Sequence, residues 1–131
     1  MGMKSKRKGI RGEYLWAEKC REAGFKNVHR CGQAMYQSGA EVADVVGLPY
    51  IHQEVKNSER LNPWQAMWQS WRDSKEAGHG ELPIVAWKKN NQPWLVVMYS
   101  EDWFRIYRAA LKWGKEQAEK KREQEQEQGK G

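Results

Sequence analysis

Apolar residues recur at helical spacing in three stretches of the chain and at strand spacing in five. Trp16, Cys20 and Ala23 form a stripe at intervals of three and four, which predicts a helix from about Gly9 or Gly12 to Ala23, with Gly24 as its stop. Glu13 falls on the same stripe, one turn before Trp16. A glutamate there either answers the dipole of the helix start or points a carboxylate into a site. Residues 26–30 read as a short strand and 32–39 as a loop. Residues 41–47 and 50–56 read as two strands of a hairpin, joined through Gly47-Leu48-Pro49. Asn62-Pro63 is a capped helix start, and the helix it opens runs from Trp64 to Ala77 and stops at Gly78. On it Trp64, Trp68 and Trp71 make an aromatic face, expected to be core or a subunit contact. Gln65, Gln69 and Arg72 make a polar face one residue on. Residues 82–87 and 94–99 are two more strands, connected by the polar loop 88–93. Ser100 then opens a helix with Glu101 and Asp102 in its first turn and Trp103, Phe104 and Tyr107 on its apolar side. The order α-β-β-β-α-β-β-α gives an α/β or α+β fold, a mainly antiparallel sheet with one crossover.

Composition sharpens this in three ways. At 131 residues the chain is one domain, and eight tryptophans supply large apolar surfaces for its core. A mean hydropathy of −1.01 and the lack of any apolar run near the 18 or so residues of a bilayer span read as soluble, with no membrane partner. The basic N-terminus has no apolar stretch behind it and does not read as a secretory signal. The net charge of +6 is uneven: Lys4, Lys6, Arg7, Lys8 and Arg11 give residues 1–11 a charge of +5, while residues 115–131 balance to 0. Residues 1–11 are therefore expected to be a basic, flexible arm suited to phosphate contact. Residues 115–131 are expected to be a charged tail, either a helical extension or disordered. Cys20 and Cys31 match no zinc spacing and read as reduced thiols of a cytosolic protein.

The candidate chemistry lies in the first hairpin. Asp44 sits inside the apolar run Ala43-Asp44-Val45-Val46, where a poor strand former needs a reason. Glu54 and Lys56 share a strand face by alternation. If 44 stands opposite 54, Asp44, Glu54 and Lys56 lie on one face with opposed Cβ atoms about 5 Å apart, whereas a one-residue slip separates them. Two carboxylates so close repel unless a cation lies between them, and oxygen donors of this kind suit Mg²⁺, with Mn²⁺ able to substitute. A lysine beside them can orient a water or stabilise phosphate charge. Together these parts meet the needs of phosphodiester hydrolysis. His52 falls on the Glu54 face, and the simpler reading of it is a structural or surface histidine.

Asp44 followed by Glu54-x-Lys56 resembles the motif of the PD-(D/E)xK nuclease superfamily. Gly12-Glu13 on a first helix, Gln37-Ser38-Gly39 before the aspartate strand, Gln65 on the following helix and the ending Ser100-Glu101-Asp102-Trp103-Phe104 are similar to archaeal and phage-type Holliday junction resolvases. The resemblance spans about residues 10–108. It departs from the family pattern at Val42-Ala43, where the proline is absent. It implies a restriction-endonuclease-like core over residues 12–114, with a central mixed sheet of about five strands flanked by helices. It further implies Asp44, Glu54 and the Val55 carbonyl as metal ligands, Lys56 as the catalytic lysine and Glu13 as the carboxylate completing the site. Ser38 and Gln65 would be further active-site residues.

The expectation is a Mg²⁺-dependent, structure-selective DNA endonuclease, a Holliday junction resolvase acting as a homodimer in the cytoplasm (the host's, if phage-encoded). Lys4, Lys6, Arg7, Lys8, Arg11 and Arg72 would contact DNA. Two alternatives stand beside it: a nuclease of the same fold acting on linear or single-stranded DNA, and a non-catalytic nucleic-acid-binding protein.

Overall fold

A capped fifteen-residue helix between the third and fourth strands is long enough for the crossover connection that lets two strands lie side by side in parallel. The computed structural model, which describes residues 2–31 and 43–129, has this arrangement. Helix α1 spans Gly2–Glu22, and strands β1, β2 and β3 span His29–Arg30, Val45–Val46 and Ile51–Asn57. Helix α2 spans Pro63–Ala77, strands β4 and β5 span Leu82–Lys88 and Leu95–Val97, and helix α3 spans Ser100–Gly129. The five strands form one sheet in sequence order. β3 and β4 pair in parallel over seven residues, and the other neighbours are antiparallel. The element order and the mixed five-strand sheet agree with the sequence expectation. The chain divides into two compact units, Met1–Met98 and Tyr99–Gly131.

In the first unit the sheet is covered on both faces. On one, Trp16, Ala17 and Cys20 of α1 pack with Val28, Val45, Val55, Ile84 and Ala86. On the other, Ala66 and Met67 of α2 pack with Val85. Asn62 Oδ1 accepts from the backbone N–H groups of Trp64 and Gln65, Pro63 occupies the first turn, and Gly78 closes the helix at φ 71°. The buried stripe of α2 is Ala66, Met67, Ser70, Asp73 and Ser74. The tryptophan face is not part of this core: Trp64 is 80% exposed, Trp68 53% and Trp71 42%. Small residues won the inner face because they can tie the helix to the sheet: Ser70 Oγ donates to the Ile84 carbonyl at 2.9 Å and Ser74 Oγ to that of Glu81 at 2.7 Å.

Helix α1 begins at Gly2 and takes in residues 4–11, which the sequence reading had assigned to an arm. Lysine, arginine and isoleucine are adequate helix formers and no proline interrupts them. Gly12 is a contact point instead of a helix start. A Cβ there would lie 2.5 Å from Asn57 Cβ, and Asn57 Nδ2 donates to the Lys8 carbonyl at 3.0 Å. Ala23, expected on the buried stripe, is exposed, and Ala17 takes that place.

Helix α3 continues through the charged residues 115–129, so that segment is a helical extension. Glu101 and Asp102 stand in its first turn, and Trp103 stacks on Tyr107 at 5.4 Å. Among the described residues no helix is long and apolar enough to cross a membrane.

Gly9 and Gly12 of α1 give a paired test. Gly12→Ala is expected to lower stability by about 1–3 kcal/mol through overpacking against β3. Gly9→Ala, where a Cβ meets nothing within 4 Å, is expected to be neutral or stabilising by up to about 1 kcal/mol. Thermal or urea denaturation of the two variants checks the contrast.

Candidate metal centre

Alternation along β3 divides its side chains between the two helices. Gln53 and Val55 face α1. Gln53 Oε1 accepts from Trp16 Nε1 at 2.8 Å, so the polar residue on that side is satisfied within the core. His52, Glu54 and Lys56 face α2, and His52 and Glu54 are 2% and 3% exposed.

Val45 stands opposite Gln53, which is the register that sets position 44 against position 54. Gly47 makes this possible: its φ of 98° turns the chain between β2 and β3, and it lies against the backbone of Asn27 and Val28 where a side chain would not fit. Asp44 Oδ2 accepts from the Val55 backbone N–H at 2.9 Å. Burial, then the charge of Glu54, pushes the Asp44 carboxyl up to about 7, against the pull of the Val55 amide and Lys56. Burial likewise raises Glu54 to about 7, helped by the charge of Asp73 and opposed by a hydrogen bond from Asp44 and by Lys56. The two carboxyls titrate as a pair. Asp44, Glu54 and Lys56 are thus brought together.

Helix α2 adds a third carboxylate. Ligand atoms of His52, Glu54 and Asp73 lie within 4.8 Å of one another, and all three residues are buried. His52 Nε2 is 3.3 Å from Glu54 Oε1. Burial holds the imidazole pKa below its ordinary value, so this is a hydrogen bond of a neutral ring, not an ion pair. Asp73 Oδ1 has no hydrogen-bond partner; the Arg72 guanidinium lies 3.5 Å away, outside hydrogen-bond geometry.

The other expected site residues are placed differently. Gln65 is exposed in the first turn of α2, and the glutamine that meets the lysine is Gln69, whose Oε1 accepts from Lys56 Nζ at 3.5 Å. Glu13 lies on α1 and is held by Arg30 Nε at 2.6 Å. Burial raises its pKa, the Arg30 hydrogen bond opposes this, and the charge of Asp44 adds to it. Val55 contributes its N–H to Asp44. Ser38 lies outside the described residues. Arg72 stacks over Trp68 at 4.9 Å. Of the basic residues, Arg7, Lys8 and Arg11 line a cleft of about 490 Å³ together with Asn57, Lys88 and Asn90. Lys4 and Lys6 are exposed on the same helix.

Sequence reasoning missed Asp73 and Gln69 as partners of the hairpin. The available signal was spacing: 66, 70, 73 and 77 form a stripe of α2 on which an aspartate replaces an apolar residue. The tryptophans drew attention to the wrong face.

The donors fit a divalent cation. Asp44 and Glu54, raised in pKa by burial and by neighbouring carboxylates, and Asp73 Oδ1, which accepts no hydrogen bond, are relieved by a positive charge placed among them. A consequence for stability follows in the metal-free protein. Asp44 and Glu54 have folded pKa values near 7, above the ordinary 3.8 and 4.5, so the folded state binds more protons between about pH 4 and pH 7. Their contribution is present at acid pH and lost as pH rises through 7. In EDTA, the melting temperature of the wild type is expected to fall relative to that of Asp44→Asn between pH 5 and pH 8. The amide can still accept from Val55 while removing the repulsion. Parallel melting curves across that range would contradict the assignment.

No protein-family model, curated protein or solved structure matches this chain.

Proposed function

We propose that the protein is a metal-dependent, structure-selective DNA endonuclease of the PD-(D/E)xK type, with the four-way junction as its preferred substrate. The observation that carries this reading is the meeting of Asp44, Glu54 and Lys56 where β2 and β3 pair in the 44/54 register. A protein that only bound nucleic acid would have no use for two carboxyl groups held out of water beside a lysine, because their burial costs folding free energy.

Asp44 and Glu54 would hold Mg²⁺, with Mn²⁺ able to substitute. When bound, the ion supplies charge neutralisation at the phosphate and lowers the pKa of a coordinated water. Lys56 is drawn toward both carboxylates and toward Gln69, so its ammonium sits where it can donate to a non-bridging phosphate oxygen and orient the attacking water. Water oxygen bonds to phosphorus, the bond from phosphorus to the leaving sugar oxygen breaks, and that oxygen takes up a proton. Arg7, Lys8, Arg11 and Lys88 line a cleft against which a phosphodiester backbone can lie. Two symmetric cuts require two copies, and the exposed Trp64, Trp68 and Trp71 offer a surface for a homodimer. The setting is cytoplasmic.

Purified protein is expected to nick a labelled four-way junction in Mg²⁺ and not in EDTA, and to prefer it over linear duplex and single-stranded competitors. Asp44→Ala, Glu54→Ala and Lys56→Met are each expected to lower the cleavage rate by about 100-fold or more. Salt-sensitive binding of the junction with no cleavage by any form would support a binding protein instead.

A further inference from the structure

Glu54 has neighbours that the hairpin motif does not include. On the α2 side of β3 its carboxylate lies with His52 and Asp73, their ligand atoms all within 4.8 Å. The donors are one imidazole and two carboxylates. Their support is rigid. His52 and Glu54 are two residues apart on the central strand, so both project to one face. Asp73 stands between Ser70 and Ser74, whose hydroxyls tie α2 to the Ile84 and Glu81 carbonyls. The Asp73 side chain is 8% exposed, and its Oδ1 accepts no hydrogen bond; it has a longer ion-pair contact, 3.5 Å, with the guanidinium of the more exposed Arg72.

We propose that His52, Glu54 and Asp73 form a binding site for a transition-metal dication of the Zn²⁺ or Mn²⁺ class, separate from the oxygen-only position at Asp44 and sharing Glu54 with it. Metal–ligand bonds of about 2.0–2.2 Å place neighbouring donors roughly 3–4 Å apart, so the present spacing needs only a small contraction. Imidazole shifts preference from Mg²⁺ toward Zn²⁺ and Mn²⁺, since Mg²⁺ favours oxygen and gives up its waters reluctantly. Two carboxylates balance the ion's charge. The site stands on its own donors and does not depend on the nuclease reading.

The test is calorimetric titration of the EDTA-stripped full-length protein with Zn²⁺, Mn²⁺ and Mg²⁺, without DNA. Co²⁺ absorption then reports whether the ligands are nitrogen and oxygen or thiolate. One equivalent of Zn²⁺ is expected to bind at least about 100-fold tighter than Mg²⁺, with no thiolate-to-cobalt band. Asp73→Asn and His52→Gln are each expected to weaken Zn²⁺ at least about 10-fold. If Asp73→Asn does not fold, by circular dichroism, His52→Gln decides. Absence of Zn²⁺ binding, a thiolate signature, or equal binding by the His52 variant overturns the proposal, and a proton shared between Glu54 and Asp73 then accounts for the cluster. Binding as expected in a protein that cuts no DNA overturns the nuclease reading alone. DNA cleavage in Mg²⁺ by a protein that takes up no Zn²⁺ at His52 and Asp73 overturns the present proposal alone.

Discussion

Two carboxyl groups, Asp44 and Glu54, face each other across the β2–β3 pair; burial raises the pKa of both toward neutrality, and the charge of Glu54 raises that of Asp44 further. Such a contact is unfavourable in isolation. It persists because the surrounding structure over-determines it. The Val55 N–H is fixed on Asp44 by the strand, Gly47 fixes the turn that sets the register, and Lys56 supplies a compensating charge from the same strand face. Asp73 brings further negative charge from α2, where a fold optimised for stability alone would place an apolar side chain.

The two faces of β3 divide the work. Toward α1 the strand contributes Val55 to an apolar cluster, and Gln53 is bonded to Trp16 and to the Val45 carbonyl. That face supplies packing free energy and, among the described residues, has no buried side-chain polar atom lacking a hydrogen bond. Toward α2 the same strand presents His52, Glu54 and Lys56 beside the buried cluster of Ala66, Met67 and Val85, against which Leu61, Trp87 and Val97 pack. The stability of one face permits the strained chemistry of the other. The parallel pairing of β3 with β4 over seven residues makes the strand stiff enough to hold both.

The candidate site was partly legible in the chain. An aspartate amid Ala43, Val45 and Val46 marked a half-buried carboxylate, and alternation placed Glu54 with Lys56. Asp73 and Gln69 were not legible, because their meeting with β3 depends on which stripe of α2 turns inward. Hydrophobicity pointed to Trp64, Trp68 and Trp71, yet side-chain volume and hydroxyl bonding favoured the stripe through Ala66, Ser70 and Ser74. Glu13 was legible as an out-of-place carboxylate, and only the position of Arg30 in space revealed its ion partner.

Local chemistry, written in consecutive residues, determined the element order, the cap at Asn62-Pro63, the stop at Gly78 and the shared strand face of Glu54 and Lys56, whereas the 44/54 register came only with the fold. Each local feature follows from backbone geometry over a few positions: a missing proline N–H, a left-handed glycine, a side-chain period of two. The tertiary structure decided what lies beside the hairpin. It turned the small face of α2 inward, set Asp73 against His52 and Glu54, carried the basic residues into helix α1, and placed Arg7, Lys8 and Arg11 beside Lys88. Those choices rest on packing and charge compensation between residues far apart in sequence, which no local pattern encodes.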